Sequence, residues 1–147
     1  MIDPNEDGVS HINVYSKAKT QLGRQLSNFA HLPIVLEDDG EFASIEAYWY
    51  WLGTNHLDRD KLRPLYGFQA KALGREFNAQ DWHEDDPQFI DKIKIALTVK
   101  LQTYPVLLEV LRALKDLPLK HYYVYGDKAV EPKDGRWIME HMNSLRP

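Results

Sequence analysis

The stretch "GRQLSNFAHLPIVLEDDGEFASIEAYWYWLG", residues 23–53, decides how the chain is read. It passes from a polar turn at Ser27-Asn28 through the strand-forming "HLPIVL" to Asp38-Asp39-Gly40. Acid-acid-glycine after β-formers is turn chemistry, so a strand over 32–36 should end there. Ser44 is a good helix N-cap, and Glu46 falls in the first turn, where the helix dipole favours an anion. The helix then carries the aromatic run Tyr48-Trp49-Tyr50-Trp51 and stops at Gly53.

On that helix Glu46, Tyr50 and Gly53 share one side, and Ile45, Trp49 and Leu52 the adjacent one. Apolar side chains run nearly all round, so the segment is buried or lines a cleft. Two accounts of Glu46 are open. In one it complements the helix N-terminus at a wet surface, and position alone favours this plainer account. In the other it is a lone acid on a buried aromatic helix, which needs a partner or a purpose.

Outward from this stretch, the 147 residues suit one domain with a real core. Hydrophobic residues make up 44% and charged residues 27%, with a net charge of −4. No concentrated basic surface for a nucleic-acid backbone follows from that balance, although 18 Lys and Arg leave room for a local groove. The absence of cysteine excludes disulfides, thiolate zinc sites and a cysteine nucleophile. Residues 1–10 are polar and acidic, so no signal peptide is expected, and no apolar run reaches the ~20 residues of a membrane span. A soluble cytoplasmic protein is the expectation. Aromatics reach 12%, with 4 Trp and 8 Tyr; such residues fill cores and also stack on flat ligands.

Residues 1–10 read as a loose arm, followed by a short strand near 11–15. "HLDRDKLRPLYGFQAKALGRE" reads as two short helices broken before Pro64. Asp86-Pro87 is a clean helix start, and Phe89, Ile90, Ile93, Ala96, Leu97 and Leu101 recur at helical spacing, so a core-facing helix spans about 87–103. Pro105 opens another, with Leu107, Leu108, Leu111 and Leu114 on one side. "KHYYVYG" is strand-forming, and 135–145 reads as a last helix. The expected architecture is mainly α with two or three short β-strands, in a compact single domain.

Other candidates carry chemistry less directly. Asp127 follows Tyr125-Gly126 at a strand end, where an acid can point into a site; Gly-Asp is also ordinary turn chemistry. Arg75 could clamp a phosphate with its forked donors, or be a surface arginine near a helix end, the better reading of position alone. His83, Glu84, Asp85 and Asp86 are metal-ligand types in no known zinc or calcium spacing, and the 6 histidines are scattered. No metal site is expected. Trp82, in a polar loop, must dock or stack. Asn28 suits a base or sugar edge and equally a turn.

Taken in order, "LSNFAHLPIVLEDDGEFASIEAYWYWL", "ALGRE", Trp82 with Ala96-Leu97 and Lys100, "YVYGD" and "GRWIMEHMNSLR" resemble the motifs of the NADAR, or YbiA-like, family. The resemblance covers most of 23–146, which makes 1–22 an N-terminal arm and 23–147 the domain. It implies a mainly helical fold with small strands and chemistry on nucleotides or ADP-ribose. Characterised members are N-glycosidases that act on riboflavin-pathway intermediates or remove ADP-ribose from modified guanine. It further implies that Glu46 and Asp127 are the catalytic acids and that Asn28, Phe29, Tyr50, Arg75, Trp82 and Tyr125 contact substrate. The partner would be a small-molecule nucleotide, an ADP-ribosylated nucleobase or a modified nucleic acid, with no cofactor and no membrane. Two departures stand out. Gly53 occupies the place of a family lysine, and "AVEPKDG" replaces a glycine-rich loop. An N-glycosidase, a module that binds NAD or ADP-ribose without cleaving it, and a helical interaction protein whose aromatics are all core remain the alternatives.

Overall fold

The computed structural model describes residues 1–79, 86–133 and 135–147. In chain order these hold β1 (Ile12–Asn13), α1 (Gln21–Leu26), β2 (Ile34–Leu36), β3 (Gly40–Phe42), α2 (Ile45–Leu52), α3 (Gly67–Asn78), α4 (Pro87–Thr103), α5 (Pro105–Ala113), β4 (Leu119–Lys120), β5 (Tyr123–Tyr125), β6 (Lys128–Val130) and α6 (Arg136–Ser144). Short 3-10 helices lie at Pro4–Glu6 and Arg59–Leu62. The architecture is mainly α with short strands. Each strand-forming stretch finds one partner: β1 pairs with β4 in parallel, and β2 with β3 and β5 with β6 antiparallel. The chain divides into two units, residues 28–103 and residues 1–27 with 104–147.

The unit of residues 28–103 is built on α2. Ser44 caps it as the sequence suggests, its hydroxyl accepting from the Ala47 N–H at 3.1 Å and donating to the Leu65 carbonyl at 3.0 Å. One side chain thus satisfies a free first-turn donor and ties in the segment leading to α3. Tyr48, Tyr50 and Trp51 are buried and Trp49 is half-buried, so the aromatic run is largely core. Tyr48 and Trp51 pack against Phe42 of β3. Arginines then seal this cluster. Arg59 lies 3.7 Å over the Trp51 ring, while Arg63 lies 4.5 Å over Phe42 and donates to the Asp39 carbonyl at 2.6 Å. Asp60 accepts from Trp51 Nε1 at 2.9 Å and from Arg63 Nε at 2.8 Å. The Tyr48 hydroxyl donates to the Asp39 carboxylate at 2.6 Å, which fastens the β2–β3 turn to the helix.

Helix α4 starts at Pro87 after Asp86, whose carboxylate accepts the Gln88 N–H at 2.8 Å. Phe89, Ile93, Ala96, Leu97 and Leu101 are buried, as their spacing requires. Lys100 is buried with them, and burial pushes its pKa down to about 7.

In the other unit the first residues, an arm on the sequence reading, are built into the fold. The Asp7 carboxylate accepts the backbone N–H groups of Asn13 and Lys19, both at 2.9 Å. Ile12 is fully buried opposite Leu119. The Asn13 side chain extends the ladder, donating to the Tyr122 carbonyl and accepting the Tyr122 N–H, each at 3.1 Å. His11 and the Tyr122 hydroxyl share a buried hydrogen bond of 2.6 Å. These partners lie more than a hundred residues apart in the chain, which is why a polar N-terminus looks loose when read locally. α1 approaches β1 so closely that a Cβ on Gly23 would meet the Asn13 carbonyl oxygen at 2.1 Å. Buried Arg146 closes the unit by donating to the carbonyls of Leu111, at 3.2 Å, and Leu114.

Candidate functional site

Asn28 and Phe29 join the starts of two helices. The Asn28 carbonyl accepts the Glu46 N–H at 2.9 Å, and the Phe29 carbonyl accepts the Gly67 N–H at 3.1 Å. Both donors belong to helix first turns and lack intrahelical partners. This link brings the N-termini of α2 and α3 to one place. One turn further along α2, Tyr50 packs flat on α3. A Cβ on Gly74 would come within 2.1 Å of Tyr50 Cγ, so only glycine lets the helices approach this closely. Lys71 and Arg75, four residues apart, share one face of α3, next to the buried side that carries Gly74.

Glu46 sits at the meeting point. It keeps some accessible surface, but its carboxyl lies deep enough that burial pushes its pKa up to about 7, against the opposing pull of Lys71 and then Arg75. Among the described residues the carboxyl accepts no hydrogen bond. A carboxyl that titrates near neutrality can deliver a proton or, ionised, face a developing positive charge. At the joined helix starts the Phe29 and Phe68 rings meet edge to face at 5.8 Å, with Phe68 71% exposed. The Lys71 ammonium is 5.9 Å from each ring centroid. His31 and Tyr66 stack at 4.2 Å with their rings 2° from parallel.

Of the residues singled out in the sequence, Asn28, Phe29, Glu46, Tyr50 and Arg75 fall in this unit. Tyr125 and Asp127 belong to the other unit. There Gly126-Asp127 forms the two-residue turn between β5 and β6, with Gly126 at φ +64°. Both Tyr125 and Asp127 are exposed, so within its unit Asp127 has the turn role that its dipeptide suggests. Trp82, with the acids at 84 and 85, lies outside the described residues. Lys71 and Phe68 were not singled out in the sequence. The signal for Lys71 was its place four residues before Arg75, which puts both cations on one helix face.

Among the described residues no group of His, Asp or Glu is placed to hold a metal ion, and no helix is long and apolar enough to cross a membrane.

Short paired strands clipped to a helical framework, with an aromatic helix opening on Ser-x-Glu, define a YbiA-like fold. The solved structure matched is that of YbiA from E. coli, determined by NMR, with a TM-score of 0.70 over 99% of this chain and 91% of that one. Identity is 19%, so the likeness is one of fold. No family model matches the sequence, and no curated protein does.

Proposed function

We propose that this chain hydrolyses an N-glycosidic bond in a nucleotide-type substrate, with Glu46 as its central acid. ADP-ribosylated guanine and the ribosylamino pyrimidine phosphates of riboflavin synthesis are the candidate substrates. The observation that carries the reading is a carboxyl of pKa about 7, held at the head of an aromatic helix beside Lys71 and Arg75. Cleavage between ribose C1 and a base nitrogen leaves positive charge on the sugar and an electron pair on the base. The ionised carboxylate stabilises that charge or takes a proton from the attacking water. The protonated form supplies the proton that lets the base leave. Phe29 and Tyr50 are proposed to contact the substrate, and Arg75 its anionic part. Asp127, Tyr125 and Trp82 enter on the motif resemblance alone, and Asp127→Asn tests the second acid independently.

Release of base or sugar from either substrate, lost in Glu46→Gln while binding is retained, supports the reading. A second reading, ligand binding without cleavage, rests on Gly53. That residue ends α2 by donating to the Trp49 carbonyl at 3.2 Å and offers no amine where family members carry lysine. Binding of ADP-ribose or NAD without turnover in the wild type would favour it.

A further inference from the structure

We infer that His11 and His121 form a two-histidine clasp that fastens residues 7–14 onto β4 and lets that segment open when both rings take up a proton. The clasp belongs to the unit of residues 1–27 and 104–147 and does not draw on the chemistry proposed at Glu46.

The ladder that holds the segment is short. β1 and β4 pair in parallel over two residues each. The Ile12 N–H donates to the Pro118 carbonyl at 2.9 Å, and the Val14 N–H to the Lys120 carbonyl at 2.8 Å. A parallel pair of this length is weak by itself, since parallel strands gain less per residue and two isolated strands hardly stand alone in water. Side chains complete it. His11, just before β1, shares a bond of 2.6 Å with the Tyr122 hydroxyl. His121, just after β4, donates from Nδ1 to the Val14 carbonyl at 2.6 Å. Each strand thus sends a histidine across to the other, and the Asn13 amide adds its two bonds to the Tyr122 backbone.

Both rings sit where the neutral form fits. His11 is 3% exposed, with Nδ1 3.2 Å from the Ser10 hydroxyl and Nε2 on Tyr122. A neutral ring has one donor and one acceptor, whereas a protonated ring has two donors. The Tyr122 hydroxyl must then accept and turn its own proton into a fully buried place, with no other partner among the described residues. Burial lowers the pKa of His11; Asp7 pulls the other way, Lys120 adds to the lowering, and Glu6 and Asp3 oppose it. Asp7 does not win, and its carboxylate is already taken by the backbone N–H groups of Asn13 and Lys19. Burial lowers the pKa of His121 too, against its bond to Val14. The Tyr123 ring meets His121 edge to face at 5.3 Å, and among the described residues no charged group joins in setting its pKa. When the segment lifts, both rings reach water and regain the ordinary value of 6.5. The open form then binds protons that the closed form refuses, so closure holds above pH 6.5 and weakens as pH falls below it. Each histidine raises the opening constant by up to about tenfold per pH unit. Two static core histidines would instead come open only with the whole unit.

The test is amide hydrogen exchange of the full chain, followed by NMR at pH 7.5, 6.5 and 5.5 with and without low urea, and corrected for the intrinsic rate at each pH. At pH 5.5 the opening constants of Ile12, Val14 and Tyr122 should exceed that of Leu111 in α5 by about tenfold or more and respond less to urea, the mark of a local opening. They should also rise about tenfold or more from pH 6.5 to 5.5. His11→Gln and His121→Gln should each remove about half of that rise on a logarithmic scale, and the double variant all of it. Exchange of Ile12 and Val14 with the same constant and urea response as Leu111, opening that ignores pH, or a pH response kept in the double variant would overturn the inference. If the double variant does not fold, ring titrations of the wild type decide: both histidines must titrate below 6.5 and the opening must follow them, and a ring that titrates at or above 6.5 overturns it.

Discussion

The ring of Tyr50 occupies the space that a side chain at Gly74 would need: a Cβ there would lie 2.1 Å from Cγ and 2.5 Å from both Cδ atoms of the ring. The contact is rigid on both sides, since one partner is helix backbone and the other a buried aromatic. Gly74→Ala must therefore push α2 and α3 apart or turn Tyr50 out of its place. We expect a loss of about 1–3 kcal/mol or more, the usual cost of overpacking, read from urea unfolding. Glu46 lies one turn from the contact, so activity should fall further than stability. An unchanged midpoint would show that the helices do not meet at this residue.

Glu46 makes a pH prediction of definite sign. Its pKa is about 7 in the fold against an ordinary 4.5. Between those values the folded chain holds a proton that the unfolded chain has released, so stability falls as pH rises through the window. Glu46→Gln removes the penalty. The variant should match the wild type near pH 4 and exceed it near pH 8 by up to about 3 kcal/mol in denaturant unfolding. A loss above about 2 kcal/mol at pH 8 would make the carboxylate a structural anchor.

His11 predicts the opposite slope. Burial lowers its pKa below 6.5, partly offset by Asp7. The unfolded chain then takes up a proton that the folded chain refuses, so stability present above pH 6.5 is lost as pH falls below it. His11→Gln should be less stable at pH 7.5 because the bond to Tyr122 goes, and the gap should narrow toward pH 5. A gap constant with pH would mean that His11 does not titrate in this window.

Ser44→Ala removes a cap and a tie to Leu65 together. A loss of about 1–2 kcal/mol is expected, with Ser44→Thr recovering part of it. A Ser44→Ala variant as stable as wild type in thermal unfolding would show that α2 is held by packing alone.

What the sequence made legible was local. Asp86-Pro87 and the spacing of Ile93, Ala96, Leu97 and Leu101 mark α4, and Ser44 marks α2, because caps and periodicity act within a few residues. Glu46 could be singled out because a lone acid among aromatics is a local anomaly. Other features depend on distant partners. The bond of His11 to Tyr122, the pairing of β1 with β4 and the seating of Tyr50 on Gly74 join residues that local patterns do not relate. Lys71 escaped notice for the same reason. On a linear reading it is one surface lysine among many, and only the approach of α3 to α2 sets it beside Glu46 and the Phe29 ring.

The most direct test is turnover. Wild type and Glu46→Gln are incubated with ADP-ribosylated guanosine and with 5-amino-6-ribosylamino pyrimidine phosphate, and freed base is followed by chromatography. The account predicts release by the wild type, and a rate at least about a hundredfold lower in Glu46→Gln, the scale of a lost general acid or base. Glu46→Gln releasing base as fast as wild type, or a wild type that binds either compound and frees nothing, would contradict it.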